Sequence, residues 1–354
     1  MTDLYVAAGG GGDPIGTLIA ARAITVDPDP PLIATYAWER PEVDPTHRPL
    51  GERDFTGLAH EAGGVAFTPA TRARRPAGST MPGLAGDLPA RLLLLDPARG
   101  LAGLARQIAS MAEAAGGRVR VVDIGGDVLT HGDEPTLRSP FGDSLTLAAC
   151  HLTGIPTTVY VAGPGLDGEI EEEALLERLA GGHPLTPGRD AASAAAPALA
   201  WHPSEASALW AAAVQGARGA VRTVGHTVDV TDVSPRLYHL PLERAIGHNP
   251  VARALLDERP ATLDAAAALS HRITGIPGLA PERGRTTRAP RREPSTGRTA
   301  MPHRDEAMKL VREAAAGADH VTFRHAAGVL GLTWRDIPAL RDVLDTHTPL
   351  LPLT

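Results

Sequence analysis

Lysine is nearly missing from this chain: of 34 basic residues only Lys309 is a lysine. It lies in a late helical stretch behind no glycine loop, so a lysine-bearing phosphate loop is excluded. A Schiff-base mechanism would rest on that residue alone. Arginine and alanine dominate in a way that reads as biased coding, so arginine in place of lysine carries no functional message. Cysteine is also reduced to one residue, Cys150, which excludes an internal disulfide and any multi-cysteine zinc or iron–sulfur centre. Within "LTLAACHL" it reads as a small buried hydrophobe. No apolar run approaches the roughly 20 residues of a membrane span, and no basic stretch precedes the first apolar run. A soluble, cytoplasmic protein without membrane contact is expected. Excess positive charge is lacking too: the net charge is −7, so a nucleic-acid partner is not expected.

What the chain has in quantity is glycine (38) and proline (32), set between short β-rich runs over 354 residues. The runs are "LYVAAG" (4–9), "LIATYAW" (32–38), "RLLLLD" (91–96), "RVRVVDIGG" (118–126) and "TTVYVAG" (157–163). Helical patterns lie between several of them, at 14–24, 97–115, 140–153 and 168–180. Continuous apolar runs suit strands covered on both faces, and strand–helix alternation suits right-handed parallel crossovers. The expected fold is therefore α/β, a Rossmann-like, doubly wound, mostly parallel sheet over residues 1–280. Residues 183–200 read as an Ala/Pro-rich surface segment, followed by a helix over 203–220 and a strand-like stretch over 220–231. Residues 281–302 read as a basic, flexible linker. Residues 303–354 read as a small helical appendage with Thr322 and Thr333 as N-caps. Its balanced charge argues for packing or homo-oligomer contacts rather than DNA reading.

The chemistry is expected where the strands stop. Ligands of open α/β sheets bind beyond the carboxyl ends of the strands, and several of these runs end in glycine and acidic residues. The first ends in "GGGGD", Gly9, Gly10, Gly11, Gly12 and Asp13. Glycines there let backbone amides approach an anion at the start of the helix opening at Pro14. The alternative is a tight turn with Asp13 as N-cap and Pro14 in the first helical position. Asp13 would repel a bare phosphate, so the loop suits a ribose, an amine or a Mg²⁺-bound phosphate better.

The second loop, "VVDIGGDVLTHGDEPTLRSPFGD", places Asp123, Gly125, Gly126, Asp127, His131, Asp133 and Glu134 within a dozen residues. Oxygen ligands at that density suit a hard cation such as Mg²⁺, with Asp123, Asp127 and Asp133 as its candidate ligands. Crowded carboxyls also raise one another's pKa, as acid–base work requires. The alternative for Asp133 and Glu134 is decoration of a solvated turn, and Ser139 before Pro140 reads as a helix N-cap. The third loop, "VYVAGPGLDGE", carries Gly163, Gly165, Asp167 and Glu169, the two acids being candidates for substrate hydroxyls or amines. His226, in a strand-like run of the second half, is the best-placed proton carrier outside the first half, and His131 its rival.

"GGGGDPIG", "VDIGGDVLTHGDEPTLRSPFGDS" and "VYVAGPGLDGE", in that order and spacing, resemble the bacterial and archaeal family called domain of unknown function 1152, over about residues 1–280. The resemblance implies that Gly9–Asp13, Asp123–Asp127 and Asp167–Glu169 share one site. It supplies no established catalytic residue. Three functions stay open. The first is an enzyme acting on a small polar metabolite, phosphorylated or nucleotide-like, with divalent-metal assistance in transfer, hydrolysis or lyase chemistry. The second is an oxidoreductase binding NAD or FAD, with Glu39 behind the second strand as its ribose acid. The third is a non-catalytic ligand sensor whose C-terminal helices engage a partner.

Overall fold

The computed structural model describes residues 3–25, 27, 29–182, 184–279 and 301–353. The basic stretch expected as a linker falls almost wholly outside the described residues. Strands are labelled in chain order: β1 (Leu4–Gly10), β2 (Leu32–Tyr36), β3 (Ala59–Glu61), β4 (Gly64–Ala66), β5 (Arg91–Leu95), β6 (Val119–Ile124), β7 (Thr157–Ala162), β8 (Gly219–Arg222), β9 (Thr227–Val230), β10 (Leu237–Pro241), β11 (His320–Val321) and β12 (Leu351–Pro352). Four helices matter for the site: α1 (Asp13–Ile24), α2 (Gly100–Ala115), α3 (Pro140–Thr153) and α4 (Glu205–Gln215).

The main sheet has eight strands in the order β10-β7-β6-β1-β2-β5-β4-β3. Its five central strands are parallel, and β10, β4 and β3 pair antiparallel at the two sides. Among the parallel five the chain order is third, second, first, fourth, fifth, the doubly wound Rossmann arrangement. The order reverses between β1 and β6, and a crevice opens at such a switch point because the loops leaving the two strands depart to opposite faces.

Period two decides what each strand residue faces. In β1, Leu4, Val6 and Ala8 enter one core layer, and Tyr5 and Ala7 the other. In β6, Val119 and Val121 belong to the first layer, and Val122 and Ile124 to the second. Asp123 keeps the parity of Val119 and Val121. It therefore faces the layer that holds α2 and α3, while α1 and α4 cover the opposite face.

The second half departs from expectation in two places. The Ala/Pro segment is not a surface loop: it forms the helices Arg189–Ser193 and Ala196–Leu199, with Ala191, Ala192, Ala195, Ala198 and Leu199 buried in the core layer that α1 and α4 cover. Alanine there serves close approach between helices. The strand-like run 220–231 is the hairpin β8–β9, and His226 lies in its turn rather than inside a strand.

The C-terminal residues form three helices, Arg304–Ala314, Phe323–Val329 and Ile337–Leu344, around a small core of their own. They also supply β11 and β12 to a four-stranded sheet of order β9-β8-β11-β12. Arg341 fastens this unit: its guanidinium is buried, donates to the carbonyls of Thr348 (2.7 Å) and Leu199 (3.0 Å), and lies 3.6 Å from the Phe323 ring centroid. Burial lowers its pKa to about 10. Replacing Arg341 by Ala leaves those carbonyls without this donor and removes the stacked stem. We expect a loss of roughly 2–3 kcal/mol in a denaturant titration, with little change expected from Arg335→Ala, whose side chain stacks on the indole of Trp334 at the surface.

Candidate functional site

At the carboxyl ends of β1 and β6 lies a cleft of about 750 Å³. Its walls come from the glycine loop, the segment after β2, the lead-in to α3, the loop after β7, the start of α4, the β8–β9 turn and residues 275–279. Of the residues singled out in the sequence, Gly9, Gly10, Gly11, Gly12, Asp13, Asp123, Asp127, Asp167, Glu169 and His226 all line it.

In the first loop Gly12 is the N-cap of α1 without a side-chain cap, Asp13 is the first helical residue, and Pro14 follows. Asp13 folds back so that its carboxylate lies against Gly9, where a methyl would overlap it. A methyl at Gly12 would overlap the side chain of Ser204 at the start of α4, so the glycine run is also demanded by packing.

Opposite this loop, strand parity points Asp123 at the first turn of α3, which carries Asp143. Asp127 sits on the short 3-10 turn Asp127–Leu129 directly after the strand. Carboxylate oxygens of Asp123, Asp127 and Asp143 lie within 4.8 Å of one another, and all three side chains are buried. The Val128 amide donates to Asp123 Oδ2 (3.2 Å). Asp143 Oδ1 is buried and has no hydrogen-bond partner among the described residues. Asp143 was not singled out from the sequence, where "SPFGDSL" reads only as a helix start. Asp133, expected as a ligand, is exposed on the loop and lies outside this group.

Removal from water dominates the electrostatics, and mutual repulsion adds to it. Burial and the nearby Asp123 push Asp13 up to about 7. Burial pushes Asp123 up to about 6 against hydrogen bonds from the Val128 amide and Asp127. Asp127, Asp143 and Asp167 are held well above the ordinary carboxylate range, burial first and the neighbouring carboxylates second.

The third loop mixes support with lining. Glu169 Oε2 accepts from the amides of Arg138 (2.6 Å) and Ser139 (3.1 Å), so it, and not the Ser139 side chain, holds the chain entering α3. Asp167 Oδ1 accepts from the Glu169 amide (2.9 Å). Gly125 has φ +122°, and a methyl there would overlap the Asp167 carboxylate, so only glycine lets the third loop close on the end of β6. Gly125, Gly126, Gly163 and Gly165 stand behind the cleft rather than in its wall. The Gly165 amide donates to the Gly125 carbonyl (2.7 Å), Gly163 to Arg236 (3.1 Å), and Leu175 fills the space beside Gly126.

The two histidines separate. His226 reaches the cleft, and Arg138 donates to its Nδ1 (2.9 Å), which leaves the ring proton on Nε2 in the neutral form. His131 is exposed and stacks on His248 with 3.3 Å between ring nitrogens, away from the cleft. Its neighbour Glu134 does not decorate a solvated turn. Burial opposes its charge, but the His131 amide, Thr130 and Arg178 hold it down at about 2.

A doubly wound Rossmann-like protein with an acidic, glycine-lined cleft at its switch point is thus the class that fold and site define. The chain belongs to the family described as "Protein of unknown function (DUF1152)", which matches residues 4–286. Comparison with curated proteins and with solved structures returned no match. Among the described residues no helix is long and apolar enough to cross a membrane.

The raised carboxyls make stability pH-dependent. A raised pKa means that the folded state binds the proton more tightly than the unfolded chain does. The stability these groups contribute is fully present below their ordinary value of 3.8 and is lost as pH rises through about 6 for Asp123 and about 7 for Asp13. In chelator, the melting temperature is expected to fall between pH 5 and pH 8, by a few degrees. Asp143→Asn is expected to flatten that fall, as scanning calorimetry at fixed ionic strength would show.

Proposed function

We propose that this protein is an enzyme acting on a small, polar, phosphorylated metabolite, with a divalent cation of the Mg²⁺ class held by Asp123, Asp127 and Asp143. The observation that carries the reading is the buried carboxylate trio, with the Asp143 Oδ1 atom left without a hydrogen-bond partner among the described residues. Burying several carboxyls together is costly unless a cation or protons offset the charge. An all-oxygen donor set favours a hard cation over zinc or copper. Bound there, the cation would neutralise phosphate charge and lower the pKa of a coordinated water.

The chain's own groups divide the remaining work. The Gly9–Gly12 loop lets the substrate come close to the backbone, with its anionic part turned toward the cation. Asp13, near neutrality in its proton affinity, is poised to hold or take a proton at physiological pH. His226 sits in the cleft wall, its ring oriented by Arg138 at Nδ1 and its Nε2 edge packed against Gly168. Asp167 lines the same space, while Glu169 is spent on the amides before α3. The crowd of carboxyls where a dinucleotide pyrophosphate would lie speaks against the NAD or FAD reading.

The test is metal binding. Wild-type protein is expected to bind Mn²⁺ or Mg²⁺ in calorimetry, and the cation to raise the melting temperature at pH 8 far more than at pH 5. Asp143→Asn and Asp123→Asn should weaken binding by more than ~10-fold, since even losing a supporting partner of a metal ligand commonly costs that much. Asp133→Asn should bind as wild type does. Equal binding by wild type and Asp143→Asn would overturn the assignment.

A further inference from the structure

Glu39 lies three residues past the end of β2, with its side chain buried in the cleft wall beside the glycine loop. Its two oxygens are in unlike situations. Oε1 accepts from the Thr80 amide (2.6 Å), the Thr80 hydroxyl (2.7 Å) and the Ser79 hydroxyl (3.2 Å). Oε2 takes no donor among the described residues and lies 3.8 Å from where a methyl on Gly11 would stand.

The saturation of Oε1 is enforced from behind. The Ser204 amide donates to His202 Nδ1 (3.1 Å), which places the ring proton on Nε2. Nε2 then donates to the Thr80 hydroxyl (3.0 Å), so that hydroxyl has its own proton directed at Glu39. His202 is buried, and desolvation holds its pKa down at about 3, so the relay keeps this direction across the physiological range. A single orientation of the carboxylate results, with one oxygen fully used inside the protein and one presented to the cleft. An acceptor-only oxygen facing a glycine backbone suits a neutral hydroxyl donor and repels phosphate. On the neighbouring wall Trp38 and Phe141 meet edge to face at 5.9 Å, both lining the cleft, beside the apolar residues Ile276, Pro277 and Leu279.

Resting on the metal-assisted reading above, we infer that the substrate is a ribonucleoside phosphate whose ribose diol donates to Glu39 Oε2. The phosphate lies toward the Asp123–Asp127–Asp143 trio, the sugar against Gly11 and Glu39, and the base along the Trp38 wall. Glu39 is a binding and specificity residue in this assignment, and it takes no part in the chemistry.

The experiment is calorimetry on the full chain with Mn²⁺ present, using the four ribonucleoside mono- and triphosphates and the 2′-deoxy and 3′-deoxy analogues of whichever binds. A charge-assisted hydrogen bond lost to a deoxy analogue is expected to cost about 10-fold or more in affinity. Glu39→Gln keeps an acceptor for the Thr80 amide and turns its NH₂ to the cleft, so it should weaken ribonucleotide binding by about 10-fold and narrow the ribo-to-deoxy ratio. Near-equal affinity of wild type for a ribonucleotide and both deoxy analogues overturns the inference, as does absence of nucleotide binding at millimolar concentration. In either event Asp143-dependent Mn²⁺ binding would leave the metal assignment standing, whereas failure of wild type to bind Mn²⁺ would remove that assignment as well. Should Glu39→Gln not fold, the wild-type ratio decides alone.

Discussion

Carboxyl groups repel one another, and this fold gathers five of them, Asp13, Asp123, Asp127, Asp143 and Asp167, into one poorly solvated place. The rest of the molecule is organised around that concession. Parallel β1 and β6 bring two acidic loops to the same rim, and the alternation of side chains along β6 sends Asp123 toward the face where α3 begins. The apolar layers on both faces of the sheet supply the stability against which the repulsion is set. Nothing in the local sequence demands the cluster. It exists because long-range strand pairing puts it there.

Glycine and glutamate carry the supporting roles. Gly125 is bare so that Asp167 can close on the end of β6, and Gly12 is bare so that α4 can approach the loop before α1. Glu169 holds the entry to α3, and thereby the height at which Asp143 enters the cleft. Residues that look like candidates for chemistry are in these cases the frame that keeps other candidates in position.

The sequence was most informative where the signal is periodic and local. Continuous apolar runs located the parallel strands, and their glycine–acid endings located the rim on which Asp123, Asp127 and Asp167 meet. It was least informative where position depends on tertiary context. Asp143 reads as an ordinary first-turn acid because only the parity of β6 brings Asp123 opposite it. Asp133 and His131 sit in the same dense acidic stretch, yet the loop folds onto Glu134 and Arg178 and carries both outward. Glu39, Thr80 and His202 are far apart in sequence, and no spacing rule joins them. The alanine-rich segment misled for a different reason: low complexity resembles an exposed linker, but small side chains also serve tight helix packing.

The C-terminal unit braces the site from far along the chain. Arg324 pairs with Glu42 (2.8 Å) and Glu205 (3.4 Å), and Trp334 donates to the Glu42 carbonyl (3.2 Å), so the last helices are fastened both to the segment that follows β2 and to the head of α4. The five parallel strands of the doubly wound layer are complete by residue 162. One flank of the cleft is therefore braced by helices that begin only at Phe323, well beyond the last of the parallel strands, so its support is the least local part of the site.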